Sequence, residues 1–181
     1  MRSLSLGPWR IDVESRDGVR RLLPATVLAR TAAAALGAAG APGPASLGLI
    51  LSDDAELATL NVRHMGKDGP TDVLSFPLLA PGAYPVHPGK AASVAGRLAD
   101  EPFPLPPRSR RHLGDIIVSV ERAIDQADAG RGGQTGDVRW DARDELRLLV
   151  THGVLHVCGW DHAEPDEEAA MRALERELLD A

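Results

Sequence analysis

Hydrophobic and polar positions recur along this chain in short blocks, and each block predicts one element. Residues 4–13 alternate and predict a first strand, which Gly7-Pro8 interrupts with a bulge or an edge position. Apolar positions three and four apart predict a helix over residues 23–37, with Pro24 in its first turn. The apolar run over residues 46–51 then predicts a second strand.

The middle of the chain continues this succession of helices and strands. Ser52-Asp53-Asp54 supplies an N-cap, and the pattern that follows predicts a helix that ends near Gly66. Residues 72–78 predict a strand, which Pro77 places at a sheet edge or brings to its end. A strand over residues 113–120 and a helix over residues 121–129 follow.

Two helices complete the pattern and fix the fold class. Residues 137–158 carry a broad apolar stripe and are apolar nearly all round from Leu148, which predicts a central, buried helix. The last helix begins at Pro165, with acidic residues in its first turn. This order predicts a single α+β domain over residues 1–181, with a mixed sheet of about four strands and about five helices.

The distribution of proline predicts one long loop in this domain. Residues 79–110 contain seven prolines and predict a long insertion loop, of the kind that often carries function.

The single cysteine, Cys158, excludes an internal disulfide and fits a reducing compartment. No apolar run has the length of a signal peptide or a membrane span, so we expect a cytoplasmic protein without membrane contact. The net charge of −6 excludes nucleic-acid binding through the overall field and leaves only local patches.

The strongest chemical pattern is the stretch T-H-G-V-L-H-V-C-G-W-D-H at residues 151–162. His152 and His156 are four residues apart, so a helix places both imidazoles on one face. Gly159 predicts the end of that helix, after which His162 can return to the same point. Three imidazoles with an open fourth position are typical of a catalytic zinc site. The sequence therefore predicts one zinc ion at the C-terminal end of the central helix.

Two alternatives compete with a hydrolytic zinc site at this motif. A histidine pair on an apolar helix is often a pair of hydrogen-bonded core residues. The spacing H-x-x-x-H-x-x-G-x-x-H also occurs in metzincin proteases, which carry a glutamate as general base directly after the first histidine. Gly153 occupies that position here and cannot accept a proton, so the protease hypothesis loses its main chemical element.

Three sequence blocks together resemble the YbeY family of bacterial endoribonucleases, which mature ribosomal RNA. The blocks are H-G-V-L-H-V-C-G-W-D-H at residues 152–162, K-D-G-P-T-D-V-L-S-F-P at residues 67–77, and L-G-D-I-I at residues 113–117. The resemblance covers the chain from about Leu57 to its end. It implies a small α+β fold with one zinc ion held by His152, His156 and His162, which are then also the catalytic candidates.

The resemblance also implies a substrate and partners. It implies cleavage of single-stranded RNA, a role in maturing the 3′ end of 16S ribosomal RNA, and a part in ribosome quality control. The small ribosomal subunit or its assembly factors are the implied partners. A non-catalytic, metal-stabilised assembly factor remains an alternative, because the sequence has no obvious general base.

Five further residues are candidates for supporting roles. Asp161 is expected to orient a ligand histidine, and Lys67 to contact a phosphate. Thr71, Asp72 and Ser75 are expected to line the groove beside the metal, although turn and strand-start chemistry would equally explain them. One departure concerns Met65, which stands where many family members carry an arginine. An uncharged thioether cannot neutralise a phosphate, so the residue that binds phosphate stays open.

Overall fold

Five strands form one mixed sheet in the computed structural model, which describes residues 1–90, 109–130 and 141–180. The strands are β1 (Arg2–Leu6), β2 (Trp9–Ser15), β3 (Ala45–Ser52), β4 (Val73–Pro77) and β5 (Arg111–Ser119). Their order across the sheet is β1-β2-β3-β5-β4. The central pairs β2–β3 and β3–β5 are parallel, whereas β1 and β4 pair antiparallel at the two edges.

Five helices pack around this sheet, and they confirm the predicted α+β class. They are α1 (Ala25–Ala38), α2 (Asp54–Met65), α3 (Val120–Asp128), α4 (Ala142–Val157) and α5 (Pro165–Asp180). A short 3-10 turn lies at Pro81–Ala83. The predicted beginning of the long helix, residues 137–140, and the four prolines at residues 102–107 lie outside the described residues. No helix in the described ranges is long and apolar enough to cross a membrane.

The strand predicted over residues 4–13 is in fact a hairpin, which brings the sheet to five strands. β1 and β2 pair antiparallel with Leu6 opposite Trp9, so Gly7 and Pro8 form the two-residue turn. Gly7 has φ +59, a left-handed conformation that two-residue hairpin turns require. The alternation continues on both sides of such a short turn, and that is why the sequence pattern resembles one interrupted strand.

The main core lies between one face of the sheet and the helices α1 and α4. α4 is the central buried helix that the apolar pattern predicted, with Leu146, Val150 and Val154 fully buried. α2 covers part of the opposite face, where Leu57 packs against Leu74 and Ile117. The two faces follow from the pleat, because Ile116 belongs to the main core and its neighbour Ile117 to the smaller cluster.

The helix boundaries follow the capping signals of the sequence. Asp53 caps α2 by accepting a hydrogen bond from the Glu56 amide, and Gly66 ends it in a left-handed conformation. Asp141 and Asp144 form a reciprocal capping box at the start of α4. Gly159, with φ +83, ends α4 as predicted and turns the chain away from the helix axis.

A β-bulge at Gly114 fits β5 against the edge strand β4. The register between β3 and β5 shifts between Ser46 and Leu47, which pair with His112 and Gly114. Gly114 has φ +151, and a Cβ there would lie 2.3 Å from the Phe76 carbonyl oxygen. Only glycine allows this close approach between the two strands.

We predict that Gly114→Ala lowers the free energy of unfolding by about 1–3 kcal/mol, because the methyl group would displace the β4 backbone. Urea denaturation measures this change. Gly82→Ala is the matched control, since a Cβ at Gly82 meets no atom within 4 Å. The control should change stability by less than about 0.5 kcal/mol. Equal stability of the two variants would contradict the packing described at Gly114.

Candidate metal centre

Three histidine side chains meet at the C-terminal end of α4. His152 and His156 lie one helical turn apart, and His162 comes from the turn that follows Gly159. Each offers a ring nitrogen that lies within 4.8 Å of the other two. The Nε2 atoms of His152 and His156 are 3.0 Å apart. The three side chains could therefore hold one metal ion between them.

The outer nitrogens of the two helical histidines have fixed hydrogen-bond partners. Nδ1 of His152 lies 2.7 Å from Oε1 of Glu175, and Nδ1 of His156 lies 2.9 Å from the Trp160 carbonyl oxygen. Because a carboxylate and a carbonyl only accept, each Nδ1 carries the proton and donates it. This tautomer leaves Nε2 of both rings with a free lone pair that faces the third histidine, which is the form a metal requires.

The charge state of His156 also suits a metal ligand. Burial and, to a smaller extent, the neighbouring His152 lower the pKa of this imidazole to about 4, although the hydrogen bond that the ring donates to the Trp160 carbonyl opposes this shift. The ring is therefore neutral near pH 7, and only a neutral imidazole coordinates a metal. The donor set, the tautomers and the charge all fit a metal ion at this position.

The three histidines form part of the wall of an open groove with a volume of about 740 Å³. The structure brings all the other candidate residues into the lining of the same groove. The lining includes the candidates Lys67, Thr71, Asp72, Ser75 and Asp161, together with Met65.

α4 lies directly on β4 beside the groove, where the groove-lining Ser75 contacts the buried Gly153. The Ser75 hydroxyl donates to the Gly153 carbonyl oxygen over 3.0 Å. A Cβ at position 153 would lie 2.9 Å from Val73 Cγ2 and 3.2 Å from Ile116 Cγ2. A glutamate at this position would have to displace Val73 and Ile116, so the packing disfavours the general base of a metzincin protease here.

The remaining candidates make local contacts. Asp161 Oδ1 accepts from the His162 backbone N–H over 2.8 Å, so this carboxylate orients the main chain of the third histidine. Asp72 Oδ1 accepts from the Val73 backbone N–H over 2.9 Å, and Oδ2 accepts from Gln126 Nε2 over 3.0 Å. The Thr71 hydroxyl lies 3.3 Å from Asp72 Oδ1. Lys67 is exposed at the rim of the groove.

Two buried acids on α5 contact the site, and the sequence pattern did not reveal them. Glu175 is 2% exposed and binds His152, and Glu167 is 7% exposed and accepts from the Asp161 backbone N–H over 3.1 Å. Both lie four residues from the buried Met171, so they share its inward face. Acidic residues in register with an apolar stripe are the signal that could have identified them.

A third buried acid, Glu145, lies two turns before His152 on α4. Burial raises its pKa to about 7, and the nearby Asp72 carboxylate adds to this rise. Its Oε2 has no hydrogen-bond partner within the described part of the chain. The raised pKa favours the protonated, uncharged form of this buried carboxyl group.

Comparison with known proteins gives a consistent result. The sequence model of the family described as Endoribonuclease YbeY matches residues 16–181. A protein of that name from Thermobifida fusca is 40% identical over 173 residues, which cover 93% of this chain and 91% of the relative. One from Mycolicibacterium gilvum is 44% identical over 138 residues, which cover 75% of this chain and 63% of the relative. The chain thus spans less than two thirds of the mycobacterial relative.

Among solved structures, the solution structure of TM1509 from Thermotoga maritima aligns with this chain. The alignment covers 93% of this chain and 88% of the TM1509 chain. Its TM-score is 0.49 and its sequence identity 20%. The family match over residues 16–181 and the 40% identity across nearly the full length of the Thermobifida relative decide the assignment. The chain belongs to the YbeY endoribonuclease family.

Proposed function

We propose that this protein is a zinc-dependent endoribonuclease that cleaves single-stranded RNA. The observation that carries the proposal is the meeting of His152, His156 and His162 on the wall of an open groove, in a chain whose relatives are named endoribonucleases. A phosphodiester bond lies within a polymer that continues in both directions, so its cleavage requires an open groove rather than a closed pocket.

In this proposal, different residues of the chain hold the ion, orient its ligands and contact the phosphate. His152, His156 and His162 would hold the ion, and a bound zinc would supply Lewis-acid chemistry that activates water and a phosphoryl oxygen. Glu175 and the Trp160 carbonyl fix the two helical imidazoles in the ligand tautomer. Lys67 and the Thr71 hydroxyl lie in the lining of the groove and offer donors for a phosphate.

The biological substrate and partners in this proposal follow from the family. We propose maturation of the 3′ end of 16S ribosomal RNA and ribosome quality control in the cytoplasm, with the small ribosomal subunit or its assembly factors as partners. The single cysteine agrees with a reducing compartment. The net charge of −6 means that attraction to RNA must come from a local source, such as the ion that the groove would hold.

We expect the purified protein to hold about one zinc ion per chain, and His156→Ala to lose it, because two imidazoles then remain. Elemental analysis of the purified variants measures the zinc content. His64→Ala is the matched control, since His64 is exposed on α2 and lies against Phe76. Undiminished zinc in His156→Ala would rule out this site.

Glu175→Gln should weaken zinc binding by about 10- to 100-fold, because a neutral amide can present its N–H as well as its oxygen to Nδ1 of His152 and does not raise the basicity of the ring as a carboxylate does. Competition with a chelator of known affinity measures the change. Glu177→Gln is the matched control, an exposed glutamate on the same helix. If both variants bind zinc equally well, Glu175 does not support the ligand.

The zinc-loaded protein should cleave single-stranded RNA and leave casein intact, and His152→Ala should reduce cleavage to background. Gel analysis of a labelled ribosomal RNA fragment measures the first activity, and release of soluble peptides the second. Peptide hydrolysis that depends on His152 would instead support a protease. Ribosome binding without RNA cleavage above the His152→Ala background would support the non-catalytic assembly factor.

A further inference from the structure

Residues 81–90 of the proline-rich region cross the ends of three helices beside the metal centre. The Tyr84 side chain is buried in the main core. Pro85 lies against Gly40, just beyond α1, where a Cβ would come within 2.7 Å of Pro85 Cγ. A Cβ at Gly89 would come within 2.5 Å of the Glu167 backbone in α5. This segment is therefore packed into the fold and is not a free surface loop.

His87 is a buried polar residue within segment 81–90. It is 7% exposed, and its ring stacks on the indole of Trp160 with centroids 4.0 Å apart and planes at 12°. Its Nε2 atom lies 2.6 Å from Oε1 of Glu167, which is itself 7% exposed. A buried carboxylate needs hydrogen-bond donors, and the His87 imidazole supplies one of them.

The same Glu167 oxygen holds the turn that carries the third histidine. Oε1 of Glu167 also accepts from the Asp161 backbone N–H over 3.1 Å. Asp161 Oδ1 in turn accepts from the His162 backbone N–H over 2.8 Å. A continuous set of hydrogen bonds thus runs from His87 through Glu167 and Asp161 to the main chain of His162.

The other end of this turn is also fixed by segment 81–90. Lys90 Nζ donates to the Gly159 carbonyl oxygen over 2.7 Å. A Cβ at Gly159 would come within 3.3 Å of Pro81 Cα, so the segment lies directly against the turn. Residues 81–90 therefore contact the turn directly at Gly159 and Trp160, and His87 reaches its Asp161 end through Glu167.

His162 depends on such support more than the other two histidines do. His152 and His156 are set by the hydrogen-bonded backbone of α4 and by partners for both Nδ1 atoms. His162 lies outside any helix and is exposed. We propose that His87 is a positioning residue that holds, through Glu167, the turn that places His162 for metal binding; this inference rests on the metal site of the proposed function.

Two substitutions separate the hydrogen bond of His87 from its ring stacking. His87→Phe keeps a flat ring for Trp160 but removes the donor to Glu167, whereas His87→Gln keeps an N–H donor at similar reach. We expect His87→Phe to weaken zinc binding by about tenfold, within the usual effect of residues that support a ligand. His87→Gln should stay within about threefold of the unsubstituted protein.

Zinc affinity is measured by chelator competition, and the melting temperature of each metal-free variant is recorded beside it. His112→Ala is the matched control, a histidine on β5 that contacts Ser46 and Asp115 away from the groove. It should leave zinc affinity unchanged. Equal zinc affinity in His87→Phe and His87→Gln overturns the proposal, because the donor to Glu167 then has no effect.

A double-mutant cycle adds a second test. If His87 acts through His162, His87→Phe should weaken zinc binding in the full site and have no further effect beside His162→Ala. Calorimetric titration extends the measurement to the weaker two-histidine site. A tenfold loss that persists beside His162→Ala overturns the proposal and assigns His87 a general structural role. Failure of the unsubstituted protein to bind zinc would instead overturn the proposed function, so the two failures are distinguishable.

Discussion

The close contact between α4 and β4 at Gly153 is the constraint on which the site depends. With no side chain between them, the helix backbone lies on Val73, Ile116 and Ser75, and Ser75 donates to the Gly153 carbonyl. Through this contact α4 lies in the centre of the fold. The histidines at its C-terminal end therefore lie where the core borders the groove. The same contact disfavours a catalytic glutamate beside His152. One packing requirement therefore both positions the candidate metal centre and restricts the chemistry that it could perform.

Burial at the end of α4 has a second consequence, because polar groups there need partners. His152 and His156 each find an acceptor for Nδ1, and the acceptors come from α5 and from the turn after α4. Burying the carboxylates of Glu175 and Glu167 without hydrogen-bond donors would cost free energy. The groups that these carboxylates position supply the donors. α5 thus stabilises the fold and orients the site through the same two side chains.

The sequence predicts those parts of the protein that local periodicity and spacing determine. The central helix, its end at Gly159 and the convergence of His152, His156 and His162 all follow from residues close together in the chain. The hairpin at Gly7-Pro8 was missed because a two-residue turn preserves the alternation. The pairs His87–Glu167 and His152–Glu175 join residues 80 and 23 positions apart, and no local pattern encodes such contacts.

The charges of the groove connect ion binding to substrate binding. Within the described part of the chain, its lining contains the carboxylates of Asp68, Asp72 and Asp161 against one ammonium, that of Lys67, while His156 is neutral. Such a surface on an acidic protein repels a phosphate chain by itself. A divalent cation held by three neutral imidazoles would add two positive charges where the phosphate backbone of a bound RNA would lie. No carboxylate ligand would offset these charges. In the proposed function, histidine rather than acidic ligands would therefore make the site attractive to RNA only when the ion is in place, so that RNA binding and RNA cleavage would have the same requirement.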